Sequence, residues 1–170
     1  MTNVPNGVLD AYAHHRDGVP VHDVIWGPIA SGKTHTVRQL LHKDYMTECG
    51  GDAVVESWVV DVNMSMPDVE DLVNRYATKL PAIRDLLSAA LMVDLLTGCT
   101  LRTVTIDDAH HVLNDGECRF LARQIAKYGP RNGVKLRLVV PSLELWAFGG
   151  SAVLQAAVSE GNVIKAVRRG

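Results

Sequence analysis

The sequence of 170 residues predicts a single α/β domain in which helices flank a mostly parallel sheet. Two observations predict this class. Short apolar runs typical of strands alternate along the chain with amphipathic stretches of helical period. In addition, the segment GPIASGKT at 27–34 lies between the first strand-like run and the first helical stretch, where a glycine-rich loop can join a strand to a helix.

Five strands and five helices are predicted. The strands are HDVIW at 22–26, AVVESWVVD at 53–61, LRTVTIDD at 101–108, VKLRLVV at 134–140 and GNVIKAVRR at 161–169. The helices lie at 35–45, 65–80, 81–98 and 116–130, and a shorter one follows a loop within 143–160. The helix at 65–80 is predicted because Ser65 stands three residues before Asp68, as an N-cap does, and apolar residues recur at helical spacing up to Tyr76. Residues 1–20 are expected to form an N-terminal extension and residues 21–170 the domain.

The composition restricts the class of protein. With 47% hydrophobic and 21% charged residues, it is that of a soluble globular chain. Because 17 basic residues stand against 19 acidic ones, any contact with nucleic acid must come from a local patch. Cys49, Cys99 and Cys118 lack metal-site spacing and are expected to be buried or free thiols. The N-terminus lacks the features of a signal peptide, and the apolar run at 86–96 is too short to span a bilayer, so we expect a cytoplasmic protein with no membrane segment of its own.

The segment Gly27–Thr34 fits the P-loop pattern G-x-x-x-x-G-K-[ST]. Its two glycines allow backbone dihedrals that a side chain would forbid, so that successive N–H groups can face phosphate oxygens at the start of the next helix. Lys33 would bring positive charge to the outer phosphates, and the Thr34 hydroxyl would hold Mg²⁺. ATP is therefore the expected ligand. The residues expected to contact it are Gly27, Pro28, Ile29, Ala30, Ser31, Gly32, Lys33, Thr34 and His35.

The run TVTIDDAHH at 103–111 supplies the second half of the predicted site. An apolar strand that ends in acids places carboxylates at the carboxyl edge of the sheet, where open α/β folds bind ligands. Asp107 is expected to hold Mg²⁺, and Asp108 to orient or deprotonate the attacking water, where many P-loop ATPases have glutamate. The alternative is that both carboxylates cap the helix that follows. His110 and His111 are expected at the surface or behind the site.

This pattern favours ATP hydrolysis over other uses of the nucleotide. An acid pair followed by a further strand suits ATPases that activate water, and the arginine-rich lid usual in small P-loop kinases is not found in the sequence. Two other functions stay open. One is a nucleotide-binding module or switch with little turnover, and the other is a small phosphotransferase.

The second half of the sequence resembles a known family. The shared features are a helix ending at Gly129, Gly133-Val134 before a strand, Pro-Ser-Leu at 141–143, FGGS at 148–151 and Gly161-Asn162 before the last strand. In these features the chain resembles the FtsK/SpoIIIE group of DNA-pumping ATPases, and the resemblance extends from about Val21 to Arg168. It looks most similar to the TraB-like transfer proteins of actinobacteria and their phages and plasmids. Asp61 stands where that family has an acid at the end of a strand.

The resemblance implies a three-layer P-loop NTPase of the RecA type, with a five-stranded, mainly parallel sheet in the order 5-1-4-3-2. It also implies a homo-oligomeric ring around double-stranded DNA, with a hexamer as one candidate size and with ATP and Mg²⁺ between neighbouring subunits. A separate protein would anchor the ring to a membrane. Two departures from the family, Val140-Pro141 in place of Thr-Gln and Asp108 in place of Glu, favour the module with little turnover.

Basic residues cluster in one part of the sequence. Arg119, Arg123 and Lys127 recur at every fourth residue of a predicted helix, and Arg131, Lys135 and Arg137 follow. Phosphate contacts with DNA need positive charge but carry no sequence information. The candidate DNA contacts are therefore Arg119, Arg123, Lys127 and Arg131. The alternative is that these residues form an ordinary solvated helix face.

Overall fold

The structure, a computed structural model, describes residues 12–48, 54–92 and 99–166. Its strands are β1 (His15–Arg16), β2 (Val19–Pro20), β3 (Asp23–Trp26), β4 (Val54–Asp61), β5 (Arg75–Ala77), β6 (Cys99–Asp107), β7 (Val134–Val140) and β8 (Asn162–Lys165). Its α-helices are α1 (Lys33–Glu48), α2 (Leu80–Ala89), α3 (Ala109–Val112), α4 (Gly116–Tyr128) and α5 (Ala152–Ser159), and 3₁₀ helices span Pro67–Leu72, Pro130–Asn132 and Leu145–Phe148. Cys49 and the parts of predicted elements at 93–98 and 167–169 lie outside the described residues.

Six strands form one sheet in which every neighbouring pair is parallel, in the order β5-β4-β6-β7-β3-β8. The predicted α/β fold class is therefore confirmed. The five predicted strands correspond to β3, β4, β6, β7 and β8, and they lie in the order 5-1-4-3-2. The strand count was one too low, because β5 adds a sixth strand beside β4. Strands β1 and β2 form a separate small hairpin.

The predicted helix at 65–80 was wrong. A 3₁₀ helix spans Pro67–Leu72, and the chain then turns into the edge strand β5. Asn74 fixes this edge: its N–H donates to Ser57 O, and its side-chain oxygen accepts from Ser57 N, both at 2.8 Å. These hydrogen bonds to β4 join residues 17 apart in sequence. Such tertiary contacts override the helix that the local spacing of apolar residues favours.

The sheet separates two apolar cores. In β3, Val24 packs into the core that contains residues of α2, α4 and α5, whereas the next residue, Ile25, packs into the core beneath α1. Successive side chains of a strand point to opposite faces, so a strand covered on both faces has a continuous apolar sequence. None of the helices in the three described segments is both long and apolar enough to cross a membrane.

A network of buried charges lies at the amino edge of the sheet. Asp23, the first residue of β3, accepts hydrogen bonds from Lys135 Nζ at 2.8 Å and Arg137 Nε at 3.0 Å. Arg137 also lies 3.3 Å from the carboxylate of Asp44 on α1. Lys135 and Arg137 are fully buried, so these two members of the basic cluster in the sequence do not face solvent. On the central strand β7 they point towards the α1 face, as Val139 does, and the two aspartates there neutralise them.

The described part of the predicted N-terminal extension joins this network. The Tyr12 hydroxyl donates to Asp23 Oδ2 at 2.7 Å and accepts from Lys135 Nζ at 2.8 Å. His14 Nε2 lies 2.8 Å from Asp44 Oδ1. Burial lowers the pKa of His14 although Asp44 opposes the shift, so the neutral imidazole donates this hydrogen bond at neutral pH. These contacts make the segment from Tyr12 part of the packed domain.

The Gly161-Asn162 pair has a structural explanation at the same edge. A side chain on Gly161 would overlap the carbonyl oxygen of His22, because the two backbones pass at close range. Asn162 N donates to that same oxygen at 2.8 Å, and the Asn162 side chain donates to Asp23 Oδ1 at 2.8 Å. The pair therefore sets the register at which β8 joins β3.

Replacing Asp23 with alanine is expected to lower the free energy of unfolding by about 3–5 kcal/mol, because Lys135 and Arg137 would stay buried without the carboxylate that they share. Urea denaturation followed by circular dichroism measures the change. Asp85→Ala, which removes an exposed carboxylate of α2, is the matched control and should cost less than about 1 kcal/mol. Equal stability of the two variants would contradict the contribution assigned to the network.

Candidate nucleotide-binding site

The predicted P-loop lies at the carboxyl edge of the sheet, between the end of β3 and the start of α1. Its backbone is tight: a side chain on Gly27 would overlap the Ser31 hydroxyl and lie 2.8 Å from Ala166 O. Ala30 and Gly32 both have positive φ, 61° and 90°. Ser31 N donates to Pro28 O at 3.2 Å, which closes the loop on itself. This is the compact turn that a phosphate-binding backbone needs at the N-terminus of a helix.

Lys33 reaches back across this loop. Its Nζ donates to Gly27 O at 2.7 Å and to Pro28 O at 2.8 Å. Burial lowers the pKa of Lys33, and the charges of Asp108 and Asp107 oppose that shift. The ammonium group is held by two carbonyl groups that a phosphate could replace as its partners.

The other predicted contacts of the P-loop surround the same turn. Thr34 and His35 lie in the first turn of α1 and are partly exposed. Ile29 is 91% exposed at the tip of the loop. The Ser31 hydroxyl oxygen is buried and has no hydrogen-bond partner among the described residues. A loop with exposed N-terminal helix positions and an unpaired buried hydroxyl fits a phosphate group, which accepts several hydrogen bonds at once.

Asp107 ends β6 and is 2% exposed. Its Oδ2 accepts a hydrogen bond from the Ser65 hydroxyl at 2.7 Å. Burial, with smaller contributions from the charges of Asp108 and Asp61, raises the pKa of Asp107 to about 6 although the Ser65 hydrogen bond opposes the shift. A buried carboxylate beside two others is a suitable oxygen ligand for a hard divalent cation such as Mg²⁺. No group of three or more His, Cys, Asp or Glu side chains in the described segments is arranged as a complete metal site, so phosphate and water oxygens would have to supply the remaining ligands.

Asp108 follows in a left-handed conformation, with φ 46° and ψ 48°. Its side chain makes no capping bond to α3, which argues against the helix-capping alternative for this residue. Instead Asp108 Oδ2 accepts from the Asn63 side chain at 2.5 Å. A non-glycine residue rarely adopts this backbone conformation, and such strain often marks functional positions.

Asp61 is placed differently from the other two acids. It is fully buried, and its two oxygens accept from Ser65 N at 2.9 Å, Met66 N at 2.7 Å and the Tyr76 hydroxyl at 2.7 Å. Asp61 therefore ties the chain after β4 to β5. Ser65, Asn63 and Tyr76 are not among the site residues predicted from the sequence. Asn63 and Ser65 are small polar residues within four positions of the strand-ending Asp61, which is a weak signal, and Tyr76 lies too far along the chain to share it.

His110 and His111 lie on α3 beside the acid pair. The His110 ring packs edge-on against Trp146, with centroids 6.0 Å apart, and 4.0 Å from the His111 ring. Burial lowers the pKa of His110, and His111 lowers it further. Val140 at the end of β7 supports the P-loop through its backbone, since its carbonyl accepts from Gly27 N at 3.3 Å.

The four candidate DNA contacts do not gather at the nucleotide site. Helix α4 connects the parallel strands β6 and β7, so it runs from the carboxyl edge towards the amino edge. Arg119, in its first turn, is half-buried and donates to Leu113 O at 3.0 Å. Arg123, Lys127 and Arg131 are exposed along and beyond the helix. They form a stripe that leads away from the P-loop.

Three solved structures have a similar fold at low sequence identity. The cytoplasmic domain of EssC matches with a TM-score of 0.65 at 14% identity, over 85% of this chain and 30% of its own. Thermomonospora curvata EccC (ATPases 2 and 3), in complex with a signal sequence peptide, matches with 0.62 at 17%, over 82% and 28%. The pCW3 conjugation coupling protein TcpA, in monomer form with ATPγS, matches with 0.60 at 14%, over 81% and 47%. The sequence matches no protein-family profile and no curated protein.

At these identities the likeness shows the fold alone. The chain has the fold of P-loop ATPases and spans less than half of the length of each of the three structures.

The raised pKa of Asp107 has a consequence for stability. Above about pH 6 the carboxyl group ionises in the folded protein at a cost in free energy that the unfolded chain does not incur. Asp107→Asn is therefore expected to increase the free energy of unfolding at pH 8 by about 1–3 kcal/mol, and the gain should shrink through pH 6 and vanish below about pH 4. Urea denaturation at these pH values measures it.

The matched control for this pH series is Asp85→Asn, at an exposed position of α2, which should show no such gain. An Asp107→Asn protein that is less stable than the unsubstituted chain at pH 8 would contradict the prediction.

Proposed function

We propose that this chain is a Mg²⁺-dependent ATP-hydrolysing domain. The observation that carries the proposal is that the P-loop after β3, with Lys33, and the acid pair of Asp107 and Asp108 at the end of β6 lie at the same carboxyl edge of one parallel sheet. A P-loop and an acid pair at one sheet edge are the two parts from which P-loop ATPases build their site. The ATPase fold of EssC, EccC and TcpA supports the same function.

Each residue would have one task in this reaction. The backbone N–H groups of Ile29, Ala30 and Gly32 would bind phosphate oxygens, and Lys33 would exchange its two carbonyl partners for the outer phosphates. Thr34 and Asp107 would hold Mg²⁺, which when bound neutralises negative charge on the phosphates. Asp108 would orient the attacking water and accept its proton.

The more specific proposal is a DNA-translocating motor of the FtsK type that resembles the TraB-like transfer proteins. It is supported by the resemblance of the sequence and by the likeness in fold to a conjugation coupling protein. The motor would assemble as a ring with ATP between subunits. Arg123, Lys127 and Arg131 are the exposed basic residues that could contact duplex phosphates.

A second candidate is a nucleotide-binding module with little turnover. Two observations favour it. The Asn63 side chain donates to Asp108 Oδ2 and so takes up one of the acceptor positions that this carboxylate could offer to water. Val140 presents only a buried aliphatic side chain at the end of β7, where a polar group could contact the outermost phosphate.

Single-turnover hydrolysis separates these two candidates. We expect Asp108→Asn to keep ATP affinity and to lower the hydrolysis rate by about 10²- to 10⁴-fold, as removal of a general base does. Lys33→Ala should lower ATP affinity by about tenfold or more, because it removes a charge-assisted contact to the phosphates. Lys79→Ala, at an exposed lysine before α2, is the matched control.

The outcomes are distinct. Wild-type protein that binds ATP without hydrolysing it would favour the module. Unchanged ATP affinity in Lys33→Ala would contradict nucleotide binding at the P-loop.

The DNA motor is tested by the ATPase rate with and without duplex DNA. At low salt we expect stimulation by DNA that the triple variant Arg123→Glu, Lys127→Glu and Arg131→Glu loses, because phosphate contacts depend on positive charge. The variant should keep the basal rate, since these residues lie away from the P-loop. A wild-type rate that DNA does not change would count against the motor.

A further inference from the structure

Ser65 connects three parts of the candidate site. Its hydroxyl lies 2.7 Å from Asp107 Oδ2 and 3.0 Å from Asp61 Oδ1. Its backbone N–H donates to Asp61 Oδ1 at 2.9 Å. Its carbonyl accepts from Arg38 Nη2 at 3.0 Å. A serine held at its amide, its carbonyl and its hydroxyl has little freedom to turn.

The hydroxyl has one hydrogen and two carboxylate neighbours, so it can donate to only one of them at a time. Asp61 Oδ1 already receives the Ser65 N–H, and Asp61 Oδ2 receives Met66 N and the Tyr76 hydroxyl. Asp107 Oδ2 is the nearer acceptor and makes no other side-chain hydrogen bond among the described residues. The single hydrogen therefore goes to Asp107.

Arg38 links this serine to the P-loop. It lies on α1, five residues after Lys33, and also donates to Asp68 Oδ1 at 2.8 Å. A chain of contacts thus runs from α1 through Arg38 to Ser65 and from Ser65 to Asp107. The helix that begins at the phosphate-binding loop and the strand that ends at Asp107 therefore both contact Ser65.

We propose that Ser65 is a positioning residue for Asp107, which fixes one carboxylate oxygen and leaves the other, Oδ1, to a metal ion at the phosphates. Partners of metal-binding carboxylates set the orientation of the ligand, and their loss typically lowers metal affinity about 10- to 100-fold. This inference rests on the proposed function. It adds that metal-dependent binding is governed by a residue that touches neither nucleotide nor metal.

The experiment compares ATP affinity with Mg²⁺ and with EDTA, by isothermal titration of the full chain. In Ser65→Ala we expect about a tenfold loss of affinity with Mg²⁺ and no change with EDTA. Ser65→Thr, which keeps the hydroxyl, should restore most of the Mg²⁺ effect. Ser88→Ala, at an exposed serine of α2, is the matched control. Because the ratio of the two affinities is taken within each variant, a general loss of folded protein cancels.

The results separate this inference from the function on which it rests. An equal loss with Mg²⁺ and with EDTA, or no loss in either, would overturn the positioning by Ser65 and leave the ATPase proposal standing. Wild-type protein that binds no ATP under either condition would overturn both. A second readout is the Mg²⁺ concentration for half-maximal hydrolysis, which Ser65→Ala should raise more than it changes kcat.

Discussion

Six strands that run in the same direction are the constraint from which the rest of this structure follows. Their carboxyl ends meet at one edge of the sheet, so the segments after β3, β4 and β6 come together although they are far apart in sequence. The P-loop, Asp61 and the acid pair are gathered in this way. Parallel strands also need crossovers, and the helices in these crossovers cover both faces, which buries central strands such as β7.

The two edges of the sheet use aspartate in opposite ways. At the amino edge burial acts to raise the pKa of Asp23, but Lys135 and Arg137 outweigh it and hold that pKa below its ordinary value. At the carboxyl edge Asp107 is nearly as buried and accepts a hydrogen bond from the Ser65 hydroxyl, but burial outweighs this bond and its pKa rises to about 6. In the first arrangement buried opposite charges neutralise one another, which stabilises the fold. The second retains a carboxylate whose charge is poorly compensated by the protein, which is the property that a metal ligand needs.

The segment between β4 and β5 connects the structural and the chemical parts of the molecule. Asp61 holds its backbone, Asn74 pairs it to β4, and Arg38 ties it to α1. In the same segment Ser65 contacts Asp107 and Asn63 contacts Asp108. Any movement of this segment would therefore change both carboxylates together, whereas the P-loop is held from another side by β7 and β8.

The sequence by itself determined the fold class and the P-loop, because period, glycine spacing and strand-ending acids are local patterns with a direct physical meaning. The order of five strands came from the resemblance of the sequence to a known family. The sequence also indicated that Asp107 and Asp108 lie near Lys33, since parallel strands share an edge. Only the tertiary structure decided that 65–80 is not a helix, that Lys135 and Arg137 are buried, and that Ser65 faces an acid instead of capping a helix. Each of these depends on partners distant in sequence, and a local pattern carries no information about which distant residue will neutralise a charge or accept a hydrogen bond.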